Sequence, residues 1–133
     1  MNDFIKMFLI IVGLIATILV YSIANAGLEI RGTADPVKGK KVFRTCVACH
    51  SLQEGKNKMG PPLNNLLGRK AGSVEGYKYS KAMKNSGVVW NEESLDKFLT
   101  KPRKFIPKTK MSFRGIKKKS LRDDLISFLK SNG

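Results

Sequence analysis

Two cysteines and one histidine are all that the chain holds of these residue types, and they share one pentapeptide, Cys46-Val47-Ala48-Cys49-His50. Two thiols one helical turn apart can reach the two vinyl groups on one side of a porphyrin, while the next residue carries an imidazole beneath the iron. This is the attachment sequence of c-type haem, in which Cys46 and Cys49 form thioethers and His50 is an iron ligand. A thioredoxin-like use of Cys-x-x-Cys needs a βαβ pattern, which is missing. A closed zinc site or an iron–sulfur cluster needs further Cys or His ligands, and none follow. A disulfide across so short a loop would restrain almost nothing.

With no second His, the sixth iron position falls to Met, Lys, water or nothing. Met59, Met83 and Met111 are the candidates beyond the leader. Met83 reads as core filler within a short helix, and Met59 is close to His50 in sequence. Met111 stands apart because it follows Lys101-Pro102 and Ile106-Pro107-Lys108-Thr109-Lys110, a Pro-punctuated loop able to lay a thioether over the far face of the ring.

The elements that position these residues are helical. Asp35-Pro36 is a helix start, the carboxylate capping free N–H groups and Pro36 lacking one to waste. Val37, Phe43 and Val47 predict an apolar stripe broken at Gly39, where another helix could approach closely. Residues 51 to 79 are rich in Gly, Pro, Asn and Lys and read as a long loop. A short helix over Ser80 to Ser86 is expected to end at Gly87. Asn91-Glu92-Glu93 opens another, with Leu95, Phe98 and Leu99 on one face and Pro102 as its stop. The last helix spans Lys118 to Lys130, with Leu121, Leu125, Phe128 and Leu129 on one side. Only residues 87–90 look extended. The class is therefore all-α, with about four or five short helices and long loops around one large apolar cofactor.

At 133 residues the chain is long enough for one compact domain and too short for two ordinary ones. Lys6 is followed by eighteen uncharged residues, Met7 to Ala24, a run that ends in Ala24-Asn25-Ala26, a small-x-small peptidase pattern. Residues 1–26 are expected to be a signal peptide cleaved after Ala26. The alternative is an uncleaved N-terminal membrane anchor, because eighteen residues approach the length of a spanning helix. Residues 27–34 form a polar lead-in, and 35–133 the domain. Either way the domain is delivered across the membrane, to the periplasm or the equivalent exported side of an energy-transducing membrane.

Beyond the pentapeptide, Gly60-Pro61-Pro62-Leu63, Gly68-Arg69-Lys70, Tyr77-x-Tyr79-Ser80, Val88-Val89-Trp90, the run from Lys101 to Phe113 and a last helix bearing Leu125 and Phe128 are present. In these motifs, from Asp35 to Asn132, the chain resembles the class I cytochromes c of the mitochondrial and α-proteobacterial respiratory type. The resemblance implies the small cytochrome c fold, with His50 as proximal and Met111 as distal iron ligand. It implies that Pro61 accepts the proton of the outer His50 nitrogen. Tyr79 and Trp90 would bond a buried propionate with Arg69 as countercharge, Thr109 would bond a propionate, and Phe113 would cover the ring edge. Gly39 and Phe43 would meet the last helix at Leu125 and Phe128. Three positions depart from the pattern: Phe98 where a Tyr is usual, Met83 where an Asn is frequent, and Lys108 where a Gly is usual.

A His/Met pair leaves no open iron position, so the expected activity is one-electron transfer rather than enzymatic turnover. Met ligation and a dry pocket disfavour the extra charge of Fe(III) and raise the potential. The resemblance implies a donor of the cytochrome bc type and a terminal oxidase as acceptor. The formal net charge of +15 suits acidic partners. Lys40, Lys41, Lys56, Lys58, Lys104 and Lys110 flank the segments expected to frame the haem edge, as a cationic docking ring. Lys117-Lys118-Lys119 reads as a solvated helix start. A nucleic-acid role finds no motif and is opposed by export. A haem enzyme or gas sensor would need the open position that Met111 denies. A monomer is expected.

Overall fold

The structure is a computed structural model, and it describes residues 2–5, 7 and 33–132. The chain divides into two units, Met1–Thr33 and Ala34–Gly133. In the first, residues 3–5 are helical. The apolar run, the cleavage pattern after Ala26 and most of the lead-in lie outside the described residues. Among the described residues no helix is long and apolar enough to cross a membrane.

The second unit contains five helices: α1 (Pro36–Phe43), α2 (Lys81–Lys84), α3 (Glu92–Thr100), α4 (Pro102–Phe105) and α5 (Lys119–Lys130). No strand forms among its described residues, and one antiparallel bridge pairs Lys70 with Val89. The Asp35 cap forms as expected, its Oδ1 accepting from the N–H of Val37 at 2.8 Å and of Lys38 at 3.3 Å. Those bonds, the Lys38 one foremost, hold the Asp35 carboxyl below its ordinary pKa. At α3, Asn91 Oδ1 accepts from Ser94 N and Ser94 Oγ accepts from Asn91 N, both at 2.8 Å, a reciprocal capping box. Glu92 and Glu93 in the first turn complement the helix dipole.

The core is built where α1 crosses α5. A Cβ on Gly39 would stand 1.9 Å from the Asp124 carbonyl oxygen and 2.7 Å from Phe128 Cβ, so only hydrogen fits at the crossing. Above it the Phe43 and Phe128 rings meet at 5.2 Å with a 47° tilt. Asp35 N–H donates to Asp124 Oδ1 at 2.8 Å, tying the start of α1 to the same partner. Leu125, Ile126 and Leu129 of α5 join Leu95, Phe98 and Leu99 of α3 in one buried cluster.

Several details differ from the sequence expectation. Val37 (69% exposed) and Val47 (46% exposed) are not on the buried stripe. Val37 lies two residues from Gly39, about half a turn round the helix, and α1 ends at Phe43, so Val47 is out of phase with it. Leu121 faces solvent at the edge of α5, and its neighbour Arg122 is buried instead. Pro102 ends α3 and also opens α4 as a first-turn proline, a helix the periodicity did not signal. Lys108, the departure from the usual Gly, adopts the left-handed region with φ of 65°.

Gly39→Ala should destabilise the haem-loaded protein by about 3 kcal/mol or more, the upper end for overpacking, because the clash is with backbone. Denaturant unfolding checks this, and a loss under about 0.5 kcal/mol, within the range of neutral surface changes, would show the crossing to be more yielding than its geometry.

Candidate haem site

α1 delivers the pentapeptide. After Phe43 the chain tightens into turns, with Cys46 N–H donating to Phe43 O at 2.8 Å and His50 N–H to Cys46 O at 2.8 Å. Cys46 and Cys49 are free, half-buried thiols. Burial pushes the Cys46 thiol up, a hydrogen bond with Thr45 opposes this, and the Cys49 charge adds to it.

His50 is held on two sides. Its Nδ1 lies 2.7 Å from Pro61 O; a carbonyl can only accept, so Nδ1 carries the proton and Nε2 presents its lone pair. A Cβ on Gly60 would stand 2.3 Å from His50 Cε1 and 2.6 Å from Nδ1, so the glycine is a cradle into which the imidazole fits. Burial holds the imidazole below its usual pKa, the hydrogen bond to Pro61 opposes that, and Lys58 reinforces it. The ring is kept neutral, the state that can donate a lone pair to a metal.

The loop carrying Gly60 and Pro61 is anchored at both ends. Gly60 N–H donates to Cys49 O at 2.7 Å and Leu63 N–H to Ser51 O at 2.8 Å. Arg69, half-buried, donates from Nη2 to Pro62 O at 2.7 Å and from Nη1 to Asn64 O at 3.0 Å. Arg69 and Tyr79 also sense each other electrostatically: burial lowers the guanidinium and Tyr79 opposes it, while burial raises the Tyr79 phenol and Val74 and Arg69 oppose that. Trp90 is buried, its backbone exchanging hydrogen bonds with Arg69 O (2.9 Å) and Gly68 N–H (2.7 Å). Its ring centroid lies 5.0 Å from that of Phe98, which in turn lies 6.2 Å from Phe105.

Met111 and Phe113 are half-buried against the core cluster. Thr109 is buried, and its Oγ1 accepts from Met111 N–H at 3.3 Å. Met83 is buried as core and Met59 is 77% exposed. The lysines of the expected ring, Lys40, Lys41, Lys56, Lys58, Lys104 and Lys110, are all exposed. Two of them spend their ammonium groups on carbonyls: Lys58 on Val47 O, and Lys110 on Lys78 O at 3.0 Å.

Residues 36–133 match the family model described as cytochrome c. The chain belongs to the cytochrome c family. A cytochrome c2 of Afifella marina is 52% identical over 97 residues, covering 70% of this chain and 78% of the relative. A cytochrome c of Gibberella zeae is 49% identical over 100 residues, covering 74% and 94%. Among solved structures, the chain is similar to cytochrome cH from Methylobacterium extorquens, with a TM-score of 0.69 and 42% identity over 73% of this chain and 98% of that one.

The protein is thus a haem electron carrier with the small cytochrome c fold, not an enzyme, and its haem is c-type and covalently attached. The residues present fit that group: two free thiols, an imidazole with its lone pair presented, and a glycine cradle beside it. When bound, the haem supplies a one-electron Fe(III)/Fe(II) couple.

Two contributors escaped the sequence reading. Gly60 was legible only as part of a motif, because a close approach leaves no periodic trace. Arg122 had a signal, a cation three residues before Leu125 and four before Ile126, in the phase of the buried stripe.

Gly60→Ala should displace the imidazole, shift the reduction potential, and lower the melting temperature of the haem-loaded protein by about 5 °C or more, the equivalent of roughly 1 kcal/mol at this size. Protein-film voltammetry and a thermal scan check it; parent values in both would remove the cradle from the site.

Proposed function

We propose that the protein carries electrons in a respiratory chain, from a cytochrome bc-type complex to a terminal oxidase, on the periplasmic or equivalent exported side of an energy-transducing membrane. The observation that carries this reading is the His50 ring, fixed as the Nδ1–H tautomer by Pro61 beside two free thiols. Cys46 and Cys49 form the thioethers, and His50 and Met111 ligate the iron. Pro61, Arg69, Tyr79, Trp90, Thr109 and Phe113 form the haem pocket, with Arg69 both bracing the Pro61 loop and placing positive charge near Tyr79. A saturated iron passes electrons without binding substrate, and Met ligation in a dry site favours Fe(II).

Docking falls to Lys40, Lys41, Lys56, Lys58, Lys104 and Lys110. A cationic ring speeds encounter with acidic partners without requiring a tight complex, which a shuttle must avoid. The ion pairs among the described residues use other cations: Lys38 with Asp35 at the start of α1, and Lys97 with Glu93, Lys130 with Glu92, Lys119 with Asp123 and Arg122 with Asp96 on α3 and α5. Electron transfer to a membrane oxidase, followed by stopped flow, should slow as salt shortens the Debye length from about 10 Å at 0.1 M to about 3 Å at 1 M. Lys56→Glu and Lys104→Glu should mimic salt, whereas Lys119→Glu should do much less. A flat salt dependence, or equal losses from all three variants, overturns the localised ring.

Residues 1–26 act as a signal peptide in this reading, giving a diffusible monomer. The length of the apolar run favours a second reading, a domain tethered by an uncleaved N-terminal anchor and donating electrons to an oxidase in the same membrane. The intact mass of the native protein should begin at Gly27 and include one haem. A mass retaining residues 1–26 replaces the shuttle with the tethered donor.

A further inference from the structure

Arg122 is the buried cation among the described residues, 6% exposed. Its guanidinium engages three partners through Nε and Nη1. Nε donates to Asp96 Oδ1 on α3 at 2.7 Å, and Nη1 donates to Ile116 O at 2.9 Å and Lys117 O at 2.8 Å. Asp96 thus orients the fork, and the fork grips the last carbonyls of the irregular segment that runs from α4 to α5.

Met111 lies in that segment between two sets of fixed points. Upstream, Thr109 N–H bonds Ile106 O at 3.1 Å, Thr109 Oγ1 accepts from Met111 N–H, and the exposed Lys110 reaches Lys78 O. Downstream, Gly115 at φ 98° presses against the end of α3, where a Cβ would stand 2.2 Å from Thr100 O. Ile116 N–H donates to Leu99 O at 2.8 Å, and Arg122 takes the two carbonyls that follow. The upstream hydrogen bonds stay within a few residues of Met111 or come only from the exposed Lys110, although Ile106 and Thr109 are buried; the downstream set bonds to α3, and Arg122 is the side chain that joins it to both α3 and α5.

We propose that Arg122, oriented by Asp96, is a positioning residue for Met111: it clamps the downstream end of the Met111 loop and thereby limits how often the thioether leaves the iron. This rests on the reading of Met111 as the distal ligand. Arg is required because a lysine ammonium is a compact charge on a flexible stem; it cannot present the planar fork whose Nε and Nη1 here hold a carboxylate and two carbonyls.

The test uses the full haem-loaded chain in its ferric form, with cyanide as probe and the Met-to-iron charge-transfer band as the marker of ligation. Cyanide enters only when the thioether has left, so its binding rate reports loop opening. Arg122→Lys and Asp96→Asn should each keep the band and bind cyanide about tenfold faster, the scale of one lost charge-assisted hydrogen bond. Met111→Ala should lose the band and bind cyanide faster still, and adding Arg122→Lys to it should give no further acceleration, since the two act on one step. Phe43→Leu, at the α1/α5 crossing, controls for general loss of stability and should leave the rate near the parent value.

A parent-like rate in Arg122→Lys, with the band present in the parent and lost in Met111→Ala, overturns the clamp and leaves the ligation reading standing. An equal acceleration in Phe43→Leu overturns it as well, because loop opening would then follow stability alone. A parent without the band, binding cyanide no more slowly than Met111→Ala, overturns the ligation reading and the clamp together.

Discussion

The hydrogen bond from His50 Nδ1 to Pro61 O sets the tautomer of the only imidazole in the chain, and much of the domain can be followed outward from it. Pro61 can hold its carbonyl there because the Arg69 guanidinium bonds the next carbonyl, that of Pro62, and the carbonyl of Asn64. Arg69 is in turn fixed through its backbone by Trp90, and the Trp90 ring packs at a tilt against Phe98 of α3. A displacement of α3 would thus pass through one aromatic contact and a few hydrogen bonds before it reached the imidazole. Each link is ordinary in strength; the chain of them is what turns a loop without regular structure into a rigid support.

That dependence explains which parts of the molecule were legible from sequence. The pentapeptide is contiguous, so its chemistry could be read directly, and the caps at Asp35 and Asn91 announce themselves within four residues. Phe43, Leu125 and Phe128 follow a helical period and were placed in the core by it. The support of His50 is different in kind: Gly60, Arg69 and Trp90 act through backbone carbonyls and close approach, neither of which has a period. Val47 misled because the stripe was extended past Phe43, where turns replace the helix, and Val37 because it lies about half a turn round α1 from Gly39. Leu121 shows the converse, an apolar residue at the edge of α5 whose expected burial went to a cation beside it.

The departures from the family pattern also find physical places. Phe98 has no hydroxyl to satisfy and sits between Trp90 and Phe105 as a purely apolar link. Met83 is buried, so a thioether fills space where an amide would need partners. Lys108 takes a left-handed backbone that glycine adopts freely, a conformation that costs other residues on the order of 1 kcal/mol. The turn is retained all the same, because its neighbours Ile106 and Thr109 are buried and hydrogen-bonded to each other.

Charge is divided as sharply as packing. On α3 and α5 four carboxylates are paired with cations, Glu93 and Asp123 within their own helix and Glu92 and Asp96 across to α5. The exposed ones, Lys97 with Glu93, Lys119 with Asp123 and Lys130 with Glu92, add little stability individually. Their consequence is spatial: five of the ten acidic residues lie on these two helices, so most of the net charge of +15 is expressed by lysines and arginines elsewhere. The same two helices grip the Met111 loop through Asp96 and Arg122, so the face that carries the paired carboxylates also restrains the loop we assign to the iron. A carrier that must present a fixed redox centre and an unopposed ring of lysines needs both, and here the acidic residues of α3 and α5 serve the first without opposing the second.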